Sequence, residues 1–273
     1  MEAITTATPI AKGTFAYPFD FASVPRLKTI ESNRYIVRLA QNLMEVDAAL
    51  KLRFEVFNLE LNEGLENSFI TGRDEDEFDA TCHHLIVVEK KSGDVIGTYR
   101  LRTFEMARSF FGFYSNGEFD LSQLPRNVLE QSVEIGRACI AREHRNTAVL
   151  FLLWKGLADY LTQAKKCYFF GCCSLTSQDT SEGLNLLKHL KENGAIHESL
   201  YVQPQPECVC DTEEIKDYAE VKLPKLFQTY LRFGVKVCGP PAIDRGFKTI
   251  DLFVIFDVER MDTKTEQMFF SPT

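Results

Sequence analysis

The apolar and polar positions of the chain follow two periods, one typical of helices and one typical of strands. Residues 47–61 carry apolar side chains at intervals of four, three and four positions: Leu50, Phe54, Phe57 and Leu61. This spacing predicts an amphipathic helix, because such positions share one face of a 3.6-residue turn. Residues 145–161 are apolar on most sides of a second predicted helix, so we expect that helix to be buried.

Shorter apolar stretches between polar turn residues predict strands. The predicted strands are residues 84–89, 95–102, 132–141, 167–173 and 249–257, and two more helices are predicted at 181–193 and 223–233. The first two strands flank a Lys-Ser-Gly-Asp turn and therefore predict an antiparallel hairpin. A hairpin that leads into a strand–helix–strand unit predicts a mixed α/β sheet.

The chain shows no internal repeat and no linker-like segment, so we predict one folded domain. Residues 1–40 are rich in Pro and Thr and predict an irregular arm, residues 41–260 form the α/β domain, and residues 261–273 form a C-terminal tail. With 273 residues, the chain is long enough to bury about three quarters of its unfolded surface.

The charge balance narrows the class of partner. The chain has 31 basic and 39 acidic residues, and this net charge of −8 argues against nucleic acid, which binds basic surfaces. The longest apolar runs, residues 148–154 and 250–256, are far shorter than the roughly 20 residues that cross a bilayer. The N-terminus has an acidic second residue and no apolar signal segment, so we expect a cytoplasmic protein.

The cysteines form no recognisable metal or disulfide motif. They are Cys82, Cys139, Cys167, Cys172, Cys173, Cys208, Cys210 and Cys238. Disulfide frameworks are typical of short secreted chains, and no two cysteine pairs stand at the spacing of zinc ligands. We therefore expect free thiols, most of them buried, and no metal site.

Neither glycine-rich phosphate loop nor serine nucleophile elbow is present in the sequence. The junction between the strand that ends at Ala141 and the buried helix is the remaining candidate anion site. Arg142 and Arg145 stand beside that helix N-terminus, whose free N–H groups attract anions. The alternative is that the two arginines only solvate the start of the helix.

Charged residues inside the predicted strands are the strongest candidates for chemistry. Arg100 and Arg102 share one face of their strand, and Glu134 and Arg137 interrupt an otherwise apolar strand. Gly136 permits a bulge that turns Glu134 and Arg137 to one side. Because an unpaired buried charge is costly, we predict that Arg100, Glu134 and Arg137 form one network, which is either catalytic or an internal ion-pair brace.

Eight blocks of residues stand in the order seen in one branch of the GNAT superfamily. They are Leu52-Arg53-x-x-Val56-Phe57; Asp74-x-Asp76-x-Phe78-Asp79 with Cys82-x-His84-Leu85; Gly97-Thr98-Tyr99-Arg100-Leu101; Glu134-x-Gly136-Arg137-Ala138; Leu153-Trp154-x-Gly156; Phe170-Gly171-Cys172-x-Ser174; Tyr230-Leu231-Arg232-x-Gly234; and Gly239-x-Pro241-Ala242-x-Asp244-x-x-Phe247-x-Thr249-x-Asp251. Over about residues 35–257 the chain resembles the bacterial L-ornithine Nα-acyltransferases, which are related to N-acyl amino acid synthases and acyl-homoserine-lactone synthases.

The resemblance implies a GNAT-like α/β (α+β) fold with a mixed, mostly antiparallel central sheet flanked by helices. It also implies transfer of a 3-hydroxyacyl chain from acyl carrier protein to the α-amine of an amino acid, with L-ornithine favoured, to give a lyso-ornithine lipid. The carrier's phosphopantetheine thioester is then the donor substrate, and no separate cofactor is expected. Two alternatives have the same chemistry: an N-acyl amino acid synthase that uses glycine or another acceptor, and a synthase of an autoinducer-like signal. A third alternative is a non-catalytic, haemolysin-like module that interacts with acyl chains or membranes.

The chemistry of thioester aminolysis gives the strand residues their predicted roles. We predict that Glu134 takes the proton of the attacking amine and that Arg137 holds Glu134 in place. Arg100 would bind the substrate carboxylate, because the guanidinium matches its planar shape. Backbone N–H groups at the bulge would bind the oxyanion. The predicted oxyanion and pantetheine site comprises Gly136, Ala138 and Cys139.

The acidic segment 74–79 is a solvated surface run or, as the resemblance implies, a loop at the acceptor site. In the second case Asp76 and Asp79, with Arg53, would bind the acceptor and its cationic tail. Residues 142–148 stand where GNAT enzymes usually carry a pyrophosphate loop, but they lack its glycines. This difference favours a carrier-protein donor over coenzyme A.

Acyl carrier protein is strongly acidic, so its docking surface should be basic. The candidate docking residues flank the expected pantetheine site and are Arg142, Arg145, Lys155, Lys165 and Lys166. The expected partners are therefore acyl carrier protein, the amino-acid substrate and the inner membrane face in a peripheral contact, with no nucleic acid.

Overall fold

The computed structural model describes residue 21 and residues 24–28, 30–211, 216 and 223–270 of the chain. The first 20 residues of the predicted arm and the last three of the predicted tail lie outside the described residues. The described α-helices are α1 (Leu43–Phe54), α2 (Ser68–Thr71), α3 (Phe104–Ser109), α4 (Arg126–Glu130), α5 (Thr147–Ala164), α6 (Thr180–Glu192), α7 (Lys225–Arg232) and α8 (Thr263–Phe269). The described strands are β1 (Ile30–Glu31), β2 (Tyr35–Leu39), β3 (His83–Glu89), β4 (Val95–Thr103), β5 (Ser132–Ile140), β6 (Tyr168–Leu175), β7 (Lys236–Val237), β8 (Ala242–Asp244) and β9 (Thr249–Asp257).

The nine described strands form one sheet in the order β1-β2-β3-β4-β5-β6-β9-β7, and β8 also pairs with β9. Neighbouring strands are antiparallel except for β5 and β6, which are parallel. The predicted hairpin is β3–β4, and the predicted strand–helix–strand unit is β5–α5–β6. The mixed, mostly antiparallel sheet with flanking helices is thus confirmed.

Helices cover both faces of the sheet, and the alternation along β3 shows what each layer buries. Leu85 and Val87 pack with α5, whereas Ile86 between them packs against α1. Tyr230 of α7 and Phe269 of α8 join the cluster around α5. We call the two sides of the sheet the α5 face and the α1 face.

The buried helix predicted at residues 145–161 is α5. Asn146 caps its start by accepting the backbone N–H of Val149, and side chains such as Leu153 and Leu161 are fully buried against the sheet. Among the described residues, neither α5 nor another helix is long and apolar enough to cross a membrane.

Two segments predicted as irregular are ordered parts of the fold. Residues 35–39 form β2, because their side chains alternate between buried and half-buried positions, a period that the Pro- and Thr-rich residues before them concealed. In the predicted tail, the Asp262 carboxylate caps the start of α8 by accepting backbone N–H groups, and Phe269 packs against Trp154. The predicted arm and the predicted tail therefore each contain regular structure.

The helix predicted at 47–61 begins earlier and ends differently. The Asn42 side chain accepts the N–H of Glu45 and starts α1 at Leu43, four residues before the first position predicted. After Phe54 the chain continues as a π-helical turn, Glu55–Glu60. The short helix α2 follows this turn.

β5 and β6 pair only at their beginnings. The paired residues are Ser132–Glu134 and Tyr168–Phe170. At Gly171 the strands touch closely, since a Cβ atom there would lie 2.2 Å from the Ile135 carbonyl oxygen. Beyond this contact β5 and β6 are no longer paired, which leaves a gap in the sheet.

Candidate active site

A cavity of about 370 Å³ occupies the gap between β5 and β6 and reaches both faces of the sheet. Its wall on the α5 face is aromatic and apolar and includes Trp154, Phe169, Tyr230, Phe233, Phe256 and Phe269. Its wall on the α1 face is charged and includes Glu63, Arg100, Glu134, Arg137 and Asp251. One cavity therefore offers an apolar environment on one side of the sheet and a charged one on the other.

A bulge in β5 directs the charged side chains at the gap. Thr98 of β4 pairs with Cys139, and Arg100 pairs with Gly136, so β5 has one residue more than β4 between the two pairs. Arg137, inside the bulge, has a backbone φ of +52°. The predicted bulge is confirmed, although the residue in the left-handed region is Arg137 and not Gly136.

Glu134 is bound by a turn, not by an arginine. Its carboxylate accepts the backbone N–H of Tyr114 at 2.9 Å, the N–H of Ser115 at 2.7 Å and the Ser115 hydroxyl at 2.6 Å. Among the described residues it forms no ion pair with Arg100 or Arg137, so the predicted network of these three residues is wrong. The bulge does bring Glu134 and Arg137 to the same side, since Arg137 lies over the Tyr114 ring.

The arginines are instead paired with aspartates from the acidic segment. This arginine–aspartate cluster consists of Arg53, Arg100, Arg137, Asp74, Asp76 and Asp79. Arg53 lies 2.6 Å from both Asp74 and Asp79, measured between nitrogen and carboxylate oxygen. Arg100 lies 2.6 Å from Asp76 and 3.1 Å from Asp79. Three positive charges thus face three negative charges.

The cluster is buried, and its charges hold one another ionised. Burial alone would raise the pKa of Asp79, but the guanidinium groups of Arg53 and Arg100 hold it well below its usual range. Against the same effect of burial, Arg100 and Arg137 lower the pKa of Asp76. The segment is therefore not a solvated surface run.

The predicted acceptor-binding role of this segment does not match its position. Asp76, Asp79 and Arg53 do not line the cavity; Arg100 and Arg137 do. The aspartates lie behind these arginines because they neutralise them, and Asp79 accepts hydrogen bonds from two guanidinium groups. The structure thus places the predicted acceptor-binding residues Asp76, Asp79 and Arg53 behind the cavity wall, and their contact with the acceptor stays a prediction.

Arg137 is the least tightly held arginine of the cluster. Its nitrogens lie 3.2 Å from Asp76 and 3.3 Å from Asp74, longer than the 2.6 Å contacts of Arg53. Its guanidinium lies over the rings of Tyr114 and Phe247, with 4.7 and 4.4 Å between the guanidinium carbon and the ring centroids. Burial opposes its charge, but Tyr114 and Asp74 raise the pKa of Arg137 above its ordinary value, so it stays charged.

A second set of acidic residues also lies on the α1 face. We call it the carboxyl cluster; it consists of Glu63, Glu118 and Asp251. Oxygen atoms of Glu118 and Asp251 and the Cys172 sulfur all lie within 4.8 Å of one another. Burial, and then the charge of Asp251, raises the pKa of Glu118 well above its usual range, and burial raises the pKa of Asp251 and of Glu63. No lysine or arginine of the described residues forms an ion pair with these carboxyl groups.

The apolar wall contains one hydroxyl pair. The hydroxyl groups of Tyr99 and Tyr230 are hydrogen-bonded to each other, and the indole N–H of Trp154 lies 3.5 Å from the Tyr99 oxygen. Burial raises the pKa of Tyr99 to about 12, so the phenol stays neutral. A polar contact point thus exists inside an otherwise hydrocarbon environment.

The predicted oxyanion and pantetheine residues divide between the cavity and the core. Gly136 and Ala138 line the cavity beside the bulge. Cys139 does not, because it packs toward α1 with Leu52, and burial raises the pKa of its thiol to about 12. All eight cysteines are free thiols, as predicted, and five of them are buried.

The predicted docking residues do not form one patch. Arg142 and Arg145 are exposed at the junction of β5 and α5, and Arg145 is paired with Glu60. Lys165 and Lys166 follow the other end of α5, which at 18 residues is about 27 Å long. Lys166 is also paired with Glu105. These two lysines cannot flank the same site as the arginines.

Lys155 lies on α5, two turns after the helix start, where its ammonium is 5.2 Å from the centre of the Phe151 ring. It is half-buried and so offers less free charge than Arg142. The basic surface near the cavity therefore rests mainly on the two arginines of the junction.

Sequence reasoning missed the carboxyl cluster and the hydroxyl pair. Asp251 stands in a strand that is apolar from Leu252 to Phe256, the same signal that identified Glu134, and could have been found. Glu118 lies in a polar segment without periodicity, and Tyr230 is one aromatic residue among many. Tyr230 opens one of the blocks that carry the resemblance, but no local pattern marks its hydroxyl contact or the position of Glu118.

The comparisons agree with this geometry. Residues 52–155 match the family described as acetyltransferase (GNAT) domain. The solved structure of FeeM, an N-acyl amino acid synthase from uncultured soil microbes, is similar in fold, with a TM-score of 0.50 at 11% identity over 83% of this chain and 92% of that chain. Both matches give a GNAT-like fold.

Sequence relatives give the family. The chain is 31% identical to an L-ornithine N(alpha)-acyltransferase of Brucella abortus (strain 2308), over 84% of this chain and 86% of the relative. It is 30% identical to an L-ornithine N(alpha)-acyltransferase of Rhizobium meliloti (strain 1021), over 82% and 80%. The chain belongs to the L-ornithine N(alpha)-acyltransferase family, and the resemblance noted in the sequence is confirmed.

Proposed function

We propose that this protein transfers an acyl chain from a thioester donor to the α-amine of L-ornithine. The observation that carries the proposal is the cavity through the sheet, apolar on the α5 face and charged on the α1 face. The apolar wall suits a fatty chain, and the charged wall suits an amino acid. The reacting carbonyl then lies between them, beside the bulge of β5.

The reaction forms an amide bond and breaks a thioester. The neutral α-amine attacks the carbonyl carbon, the oxyanion collapses, and the C–S bond breaks to release the thiol with one proton. The α-amine has a reference pKa of about 8 and a side-chain amine about 10, so the α-amine loses its proton more easily near neutrality. Backbone N–H groups that the bulge frees near Gly136 and Ala138 stabilise the oxyanion.

Arg137 binds the α-carboxylate of the acceptor. The sequence favoured Arg100 for this role, but Arg100 already makes short contacts to Asp76 and Asp79. Arg137 lines the cavity, has longer contacts to its aspartates and keeps its charge. A planar guanidinium in this position suits a carboxylate.

Glu134 keeps its proposed role as acceptor of the amine proton. Its Oε1 atom receives two hydrogen bonds from Ser115, whereas Oε2 receives one, from the Tyr114 N–H. Oε2 therefore retains a lone pair, and Glu134 lines the cavity. The same carboxylate also fixes the turn Tyr114–Gly117 against the cavity.

The donor is a 3-hydroxyacyl chain on acyl carrier protein, whose phosphopantetheine thioester makes a separate cofactor unnecessary. The Tyr99–Tyr230 hydroxyl pair offers a hydrogen bond to a hydroxyl group on the chain. Arg142 and Arg145 at the start of α5 attract the acidic carrier.

A peripheral contact with a membrane would let the lipid product leave the protein. The side chains of Phe69 and Ile70 on α2 are 51% and 79% exposed, and Leu59 on the π-helical turn is 60% exposed. Leu61, which follows that turn, lines the cavity. These residues give the membrane contact an apolar surface near the site.

The test is an assay of the purified protein with L-ornithine and a 3-hydroxyacyl carrier protein, followed by mass spectrometry. We expect acylornithine, slower formation from acyl-coenzyme A, and a KM for ornithine at least tenfold higher in Arg137→Gln. Arg126→Gln, which breaks an exposed pair with Glu130, is the matched control. No amide product with either donor would overturn the proposal.

A further inference from the structure

The carboxyl cluster contains two buried acids that face each other. Glu118 is 5% exposed and Asp251 3% exposed. Among the described residues, no N–H or hydroxyl group donates to either oxygen of Glu118 or to Oδ1 of Asp251. Asp251 lines the cavity, and Glu118 lies behind it within 4.8 Å.

Such an arrangement costs stability unless a proton or a bound cation neutralises it. Two carboxyl groups at this distance repel each other when both are ionised, and burial makes each charge more expensive. The other charged groups nearby do not relieve this, because Glu63 and Asp244 are also acidic. Arg137, a cation whose charge acts on Glu118, is paired with Asp74 and Asp76.

We infer that Glu118 and Asp251 form the subsite for the side-chain ammonium of the acceptor. The inference rests on the proposed function and adds the groups that distinguish a diamino acid from other amino acids. The acceptor then spans the charged wall, with its carboxylate on Arg137 and its side-chain ammonium on the acidic pair.

This binding mode also selects the amine that reacts. An ammonium between two carboxylates is held in its protonated form, because nearby negative charges favour the cation. A protonated amine has no lone pair with which to attack a thioester. The side-chain amine is thereby withheld from the reaction, and the α-amine remains free for it.

Cys172 lies beside Glu118 and Asp251, so a metal ion is the competing occupant. Metal ions bind the thiolate form of cysteine. Burial and the two acids raise the pKa of the Cys172 thiol well above its ordinary value, and the thiol lies 3.6 Å from the Ser115 oxygen. The neutral thiol suits an organic cation beside it better than a metal.

The test compares ornithine with norvaline, which has the same carbon chain without the side-chain amine. For the wild-type protein we expect kcat/KM to favour ornithine strongly. In Glu118→Gln and in Asp251→Asn, the ratio of the two values should fall at least tenfold, with most of the change in the KM for ornithine. Glu130→Gln, which removes an exposed carboxylate from α4, should leave the ratio unchanged.

The outcomes separate this inference from the proposed function. A wild-type protein that acylates ornithine and norvaline equally well, or variants that keep the wild-type ratio, would overturn the inference while acyl transfer stands. A wild-type protein that acylates neither would overturn the proposed function itself. Activity lost to a chelator and restored by zinc would assign the cluster to a metal instead.

A melting experiment shows whether the variants are folded. Because each substitution removes one of two repelling acids, the unliganded variants should melt at or above the wild-type temperature. Ornithine should raise the melting temperature of the wild-type protein and raise that of the variants less. Variants that are stabilised by ornithine as much as the wild-type protein would contradict the inference.

Discussion

Two groups of buried acids lie on the same face of the sheet, and they differ in what surrounds them. In the arginine–aspartate cluster, Asp74, Asp76 and Asp79 each lie within 3.3 Å of a guanidinium nitrogen. In the carboxyl cluster, Glu118 and Asp251 form no ion pair among the described residues, and further acids lie near them. Residue type and burial are alike in the two groups, so neither reveals which group binds a ligand.

The charged partners of a buried acid decide whether it stabilises the fold or binds a ligand. A buried acid whose charge is neutralised by arginines braces the protein, because removing one member leaves an unpaired charge behind. A buried acid without a counter-charge lowers stability when it is ionised, until a cation binds. The arginine–aspartate cluster therefore positions Arg100 and Arg137. The carboxyl cluster is the one that is available to bind the ammonium group of the acceptor.

The largest effect is expected where the neutralised cluster is broken. Asp79→Asn removes the acid shared by Arg53 and Arg100, and unfolding in urea should show a loss of about 3–5 kcal/mol. Since the pKa of Asp79 is lowered by folding, its contribution is present above its unfolded pKa of about 4 and is lost as the pH falls through the folded value.

The exposed pair Arg34–Glu89 supplies the control for this prediction. Glu89→Gln should cost far less stability than Asp79→Asn, since solvent screens the pair. Equal losses in Asp79→Asn and Glu89→Gln would refute the view that the cluster is a brace.

Glu134 extends the comparison to an acid that is satisfied by N–H and hydroxyl groups. Glu134→Gln should reduce kcat by roughly 10²-fold if Glu134 accepts the amine proton, the usual scale of general-base catalysis. Ser115→Ala removes only one of its hydrogen bonds and should cost about tenfold or less. The measurement is the pH dependence of kcat for both variants.

The two variants separate proton transfer from positioning. We expect Glu134→Gln to change the shape of the pH profile, and Ser115→Ala to lower it without a change of shape. Profiles that keep the wild-type shape in both variants would leave Glu134 as a positioning residue for the turn Tyr114–Gly117.

The carboxyl cluster should make the unliganded protein less stable as the pH rises, the opposite of the effect of Asp79. Folding raises the pKa of Glu118, so its native carboxyl group keeps its proton above the unfolded pKa of about 4. The unliganded protein should therefore lose stability as the pH rises from about 4 through the raised value, by up to about 1.4 kcal/mol per pH unit for one proton. Urea unfolding between pH 5 and 7 should show a smaller slope in Glu118→Gln. An identical slope in that variant would contradict the raised pKa.

The smallest effect is expected at the surface. Arg142 is exposed, so Arg142→Glu should raise the KM for the acyl carrier protein several-fold at low salt and hardly at all at high salt. Lys165, at the far end of α5, gives the control, because Lys165→Glu should have little effect. If the KM for the donor is independent of salt in both variants, the acyl carrier protein does not dock at Arg142.

The sequence predicted the helices and strands that have long apolar runs. It missed elements that are short or that are fixed by a single capping residue. The buried helix α5 and the strand β9 were predicted within three residues of their ends because long apolar runs define them. β2 and α8 were missed because the first has five residues and the second is fixed by the cap at Asp262.

The sequence predicted which charged residues belong to the site but not which acid pairs with which arginine. Local sequence shows that Arg100, Glu134 and Arg137 are charged residues in apolar strands, and all three line the cavity. Which acid meets which arginine depends on the fold between distant segments, and no local pattern contains it. The network was therefore assigned to the wrong acid.

The position of the acyl group on ornithine tests the account most directly. Lipids extracted from a host that expresses this chain, analysed by tandem mass spectrometry, should contain a new amide whose fragments place the acyl chain on the α-amine. The amide should fall strongly in a host that expresses Asp251→Asn. An acyl chain on the side-chain amine, or no new amide lipid, would contradict the assignment of the charged wall to the acceptor.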